Sequence, residues 1–138
     1  IALCYKDLMQ YSKAIDYYLR TLKISSKNEV ALNNIGLCYK DKKDFESAIK
    51  YFQTLISLND KNPIYYNNLG NCFYEKKEKE LAILNYKKSV ELNKNYFVAQ
   101  FNLGLTYYES NLINEAIKSY NLCLEISPNH SLVLNNLG

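Results

Sequence analysis

Asn34, Asn68, Asn102 and Asn136 stand at a constant spacing of 34 residues. An asparagine amide offers two donors and an acceptor, so one side chain can meet both the N–H and the C=O of a single peptide group. A row of such amides on one surface would hold an extended chain by its backbone, whatever that chain's side chains are. The other reactive residue types form no comparable constellation. His130 is the single histidine, and no serine or cysteine is spaced to be activated by it, so no catalytic residue is assigned. Its sequon, Asn129-His130-Ser131, is read as a chance match. Carboxylates recur once per period, at Asp7, Asp41, Glu75 and Glu109, and never as a close pair. They read as a solvated face.

Cys4, Cys38 and Cys72 share one register, with Cys123 in another. There is no CxxC motif and no Cys/His spacing suited to zinc, so neither a metal nor a cofactor is assigned. Equivalent atoms of stacked repeats lie on the order of 10 Å apart, too far for a disulfide, which needs Cα atoms within about 7 Å. Four free thiols point to a reducing, intracellular compartment, with the cytoplasm first and the nucleus or cilium as alternatives.

The elements that must position the asparagines repeat at the same step. All four glycines, Gly36, Gly70, Gly104 and Gly138, are 34 residues apart. At ordinary glycine usage, three further glycines falling into one register by accident is an event of about 1 in 3,000. Ala14, Ala48, Ala82 and Ala116 keep the step, as do Tyr5, Tyr39, Phe73 and Tyr107. Such a period denotes a stack of units, not a closed core. With the glycine counted as position 8, the units are 29–62, 63–96 and 97–130, with partial units at 1–28 and 131–138. The excerpt reads as part of a longer chain.

Within each unit two apolar stripes have helical spacing. Leu32, Ile35, Gly36 and Tyr39 mark a helix A, and Ala48, Phe52, Leu55 and Ile56 mark a helix B. The glycine on the buried stripe lets a second helix approach closely. Asp44 is placed to cap the start of a B helix, and Asn62 before Pro63 to cap an A helix with proline at its first position. Pro128 closes the last B helix. The mid-unit turn carries Met9, Lys43, Lys77 or Asn111 and never glycine.

The run Leu-x-x-Ile-Gly-x-x-Tyr from Leu32 to Tyr39, followed by Ala48-x-x-x-Phe52, resembles the tetratricopeptide repeat. The likeness spans the whole chain. Gln100 departs from it, at a position usually bulky and held here by Leu32, Tyr66 and Leu134 in the other units; Ala2 departs in place of the first glycine. The resemblance implies an all-α, right-handed superhelical solenoid of antiparallel helix pairs, with the A helices lining a concave groove.

Position 6 lies about 200° around helix A from the buried stripe, so the asparagines are expected to face outward into that groove. The candidate peptide-binding surface comprises Asn34, Asn68, Asn102 and Asn136, with Asn33, Asn67 and Asn71 beside them. Val30, Ile64, Val98, Leu37 and Leu105, together with Phe101, Tyr74 and Tyr108, would add apolar contacts. A clamp for a terminal carboxylate is not expected, because Leu132 and Asn136 stand where cations are required. The asparagine row is similar to that in the repeat region of protein O-GlcNAc transferases, which implies as an alternative a substrate-binding part of a larger enzyme; a structural rod in a multi-subunit assembly, such as a ciliary or cell-cycle complex, is a third reading.

The main expectation is a non-catalytic interaction module, scaffold or adaptor, whose partner is a protein or peptide. A formal charge of +3 with acids and lysines interleaved argues against nucleic acid. No apolar run approaches the roughly 18 residues of a membrane span. The apolar face of Leu132, Val133, Leu134 and Leu137 is expected either to pack on following residues or to mediate end-to-end self-association.

Overall fold

The structure, a computed structural model, describes residues 8–138. Ala2, Cys4, Tyr5 and Asp7, with the side chain of Met9, lie outside the described residues. All secondary structure among these residues is helical: α1 (Leu8–Ile24), α2 (Glu29–Asp41), α3 (Phe45–Leu58), α4 (Pro63–Glu75), α5 (Lys79–Leu92), α6 (Phe97–Glu109), α7 (Ile113–Ile126) and α8 (Ser131–Leu137). The A helices α2, α4, α6 and α8 begin 34 residues apart, and so do the B helices α3, α5 and α7. Two compact units divide between Lys61 and Asn62.

In the first unit, α1, α2 and α3 pack around Ile15, Leu32, Ile35, Ile49, Phe52 and Leu55, all buried. A Cβ added at Gly36 would come within 2.8 Å of Phe52 Cε1. The ring therefore lies on bare backbone, and only glycine admits so close a crossing. Asp44 caps α3, its carboxylate accepting from the Ser47 amide at 3.1 Å and the Ser47 hydroxyl at 2.8 Å.

The second unit repeats this design twice. Tyr86 and Tyr120 occupy the place of Phe52, each against a glycine of the A helix before it, Gly70 and Gly104. One core cluster joins Ala82, Tyr86 and Leu103; another joins Ala116, Tyr120, Cys123 and Val133. Asn62 caps α4 through the Ile64 amide at 3.0 Å, with Pro63 in the first helical turn. Ser89 Oγ donates to the Pro63 carbonyl at 2.7 Å, fastening the B helix to the start of its A helix.

The turns without glycine close by Schellman geometry. Lys43, Lys77 and Asn111 adopt φ of 62°, 65° and 61°. Each donates its amide to the carbonyl three residues back, and the next residue, Asp44, Glu78 or Leu112, donates to the carbonyl five back at 2.9 Å. The end of helix A is thereby satisfied. A left-handed lysine carries a steric cost that glycine would not.

Candidate functional site

Three A helices of the second unit, α4, α6 and α8, present equivalent side chains at a common register. At position 2, Ile64, Val98 and Leu132 are 46%, 48% and 57% exposed, as a docking face requires and a packed interior would not allow. Tyr108 is exposed as well. In the first unit Val30 stands exposed on α2. Asn33, Asn34 and Leu37 are half-buried there, and Asn34 and Leu37 line a shallow cleft of about 250 Å3 with Tyr11 and Tyr18 of α1.

Of the position-6 amides in the second unit, Asn136 is exposed, Asn102 is half-buried and Asn68 departs from the outward-facing expectation. Asn68 is only 8% exposed and Asn67 3%. Asn102 donates its Nδ2 to Oδ1 of both Asn67 and Asn71, at 3.1 and 3.2 Å, and Tyr86 donates its hydroxyl to the same Asn71 oxygen at 2.7 Å. These four side chains link α4, α5 and α6. Asn136, exposed on α8, donates to the Tyr120 hydroxyl at 3.2 Å. Counting angles against a single partner helix mislocates these residues, since an A helix within the stack is flanked by the next A helix as well as by its own B helix.

The flanking candidates divide likewise. Phe101 is half-buried, its ring 5.9 Å from that of Tyr120, and Leu105 is half-buried. Tyr74 donates its hydroxyl to Glu109 Oε1 at 2.8 Å, while Lys79 Nζ reaches the Glu109 carbonyl at 3.0 Å. Burial first, and then this bond to a carboxylate, push the Tyr74 hydroxyl up to about 12. Glu109 is therefore a joint between successive repeats and not merely a solvated charge. Sequence reasoning missed the tyrosine hydroxyls of the network. The available signal was that Tyr86 occurs with Asn71, whereas Phe52 occurs with Leu37 at the matching positions.

His130 opens α8 with its ring 4.5 Å from that of Phe97, packed as an aromatic. Cys38, Cys72 and Cys123 form no disulfide. Burial pushes the Cys123 thiol up to about 12, which removes it as a nucleophile near neutral pH. Val133 is buried, Leu132 and Leu134 are exposed and Leu137 is half-buried. No helix among the described residues is long and apolar enough to cross a membrane.

Comparison with known proteins agrees with this arrangement. Residues 70–111 match the family model described as TPR repeat, and residues 30–62 and 98–130 match models described as Tetratricopeptide repeat. No curated protein sequence matches the chain significantly. Among solved structures, MamA is similar at 27% identity and a TM-score of 0.82, over 89% of this chain and 72% of MamA. The first TPR of Spaghetti (RPAP3), bound to an HSP90 peptide, is similar at 24% identity and a TM-score of 0.76, over 82% of this chain and 90% of that one. YrrB, described as a TPR protein with an unusual peptide-binding site, is similar at 22% identity and 0.77, over 98% and 70%. Helix pairs at a constant step, the glycine-on-aromatic crossings and these matches together show that the chain is built of tetratricopeptide repeats.

Proposed function

We propose that this chain is a protein-interaction module whose A-helix face in the second unit binds a segment of a partner protein. The observation that carries the reading is the exposed row Ile64, Val98 and Leu132, held at one register on successive helices beside the asparagine network. Apolar side chains displayed on a rigid, pre-organised face lower the ordering cost of binding. Two structurally similar tetratricopeptide proteins are described by their peptide binding, which supports the same use here.

The amides act differently from a free ladder. Asn67, Asn71 and Asn102 set the spacing of α4 and α6, and the surface they fix is what a partner meets. The sequences of α4, α6 and α8 contain no lysine or arginine; their only charges are Glu75 and Glu109. A neutral or basic segment suits this face. The peptide SRMEEVD bound to Spaghetti carries three acids, and this face offers such a sequence no cation. The likeness of the asparagine row to that of O-GlcNAc transferases gains no support from amides that are spent on one another. Cysteines that form no disulfide accord with a reducing compartment.

Peptides selected from a random library on the intact chain test the reading. Ile64→Asp and Val98→Asp, both at exposed sites, should weaken the selected peptides at least tenfold with an unchanged Tm, and unchanged affinity would refute the proposed face.

A further inference from the structure

A separate cleft of about 270 Å3 opens in the second unit where α5, α6 and α7 meet. Val90, Leu103, Tyr107 and Leu122 give it apolar walls. Gln100 of α6 also lines it, at 4% exposed. The Gln100 backbone N–H donates to the Tyr96 carbonyl at 3.1 Å, but its side-chain amide makes no hydrogen bond to a protein group among the described residues, and neither side-chain polar atom is sealed from solvent. Leu32, Tyr66 and Leu134 fill this place in the other units. The Gln100 amide is left to the water in the cleft, which a bound peptide group can replace.

We propose that this cleft is a second binding site, taking one aliphatic residue of a partner segment in extended conformation. The chemistry selects the occupant. The walls call for a leucine-like side chain, and the amide, with donor and acceptor together, matches one peptide group. A helical segment has spent its N–H and C=O internally, so the segment is extended. Lys87, Glu91, Glu115 and Lys118 form the rim; their charges cancel, which favours an uncharged residue. This site does not depend on the A-helix face.

The probe is N-acetyl-leucine N-methylamide, titrated into the isotope-labelled 138-residue chain up to roughly 10 mM, ten times a Kd of about 1 mM. Saturable NMR shifts are expected at the Gln100 side-chain amide and at Leu103 and Tyr107, with the alanine analogue at least fivefold weaker. Gln100→Leu, which copies Leu32 and Leu134, should keep the fold and weaken the probe at least tenfold. Leu122→Ser, at an exposed wall position, should weaken it as well while Ile64→Asp leaves it unchanged. The proposal is overturned by no saturable shift, by shifts that persist in Gln100→Leu, or by shifts confined to the A-helix face. Shifts of the same residues on raising protein concentration without probe would mean that a second copy fills the cleft, and would overturn it too.

Discussion

Asn102 reaches back across one repeat to donate its side-chain amide to Oδ1 of Asn67 at 3.1 Å, binding α6 to α4 through two neutral amides. Because Asn71 and Tyr86 share the same network, removing one member leaves buried partners unsatisfied. Asn102→Leu should lower stability by about 1–3 kcal/mol. The double change Asn67→Leu, Asn102→Leu should cost less than the sum of the two singles, a coupling of at least about 0.5 kcal/mol in a urea-denaturation cycle. Strict additivity would mean that the amides do not cooperate.

Gly70 supports Tyr86 in the same way that Gly36 supports Phe52. An added Cβ would stand 2.7 Å from Tyr86 Cε1, and Tyr86 is fully enclosed. Gly70→Ala is therefore expected to destabilise by about 1–3 kcal/mol through overpacking, read as a lower urea midpoint at constant m-value. In a Tyr86→Leu background the penalty should shrink, because the clashing ring is gone.

Lysine in a left-handed turn is a local cost retained by the fold. Lys77→Gly, at φ 65°, should raise stability by about 0.5–1 kcal/mol, and Lys43→Gly likewise. Asn111→Gly should gain less, since asparagine tolerates this conformation. Thermal unfolding of the three variants gives the order directly.

Alkaline pH should weaken the second unit. Burial lifts the Tyr74 hydroxyl to about 12, and burial lifts Tyr86 further, both above the ordinary value of about 10. Between those values the folded state holds more protons than the unfolded one, so stability is full below about pH 10 and falls as pH rises toward 12. Urea unfolding at roughly pH 9 and 11 should show this loss, and Tyr74→Phe should reduce it while the Tyr86 share persists.

The period alone dictated the helix pairs, because a 34-residue step, a stripe at helical spacing and a glycine in fixed phase leave one way to bury the apolar faces. Caps at Asp44 and Asn62 were equally legible, since capping is a contact between near neighbours in sequence. The left-handed turns at Lys43, Lys77 and Asn111 were not, because a Schellman closure is set by the approach of the next helix and not by residue preference. Nor was the fate of the asparagines. A repeat pattern records that Asn68, Asn102 and Asn136 recur, but whether an amide meets solvent, Asn71 or a tyrosine hydroxyl depends on how closely successive A helices pack, and long-range packing has no signature within a single period. Gln100 stood out as an odd residue in its column. Only the meeting of α5, α6 and α7 turned that departure into a cleft with an unspent amide in its lining.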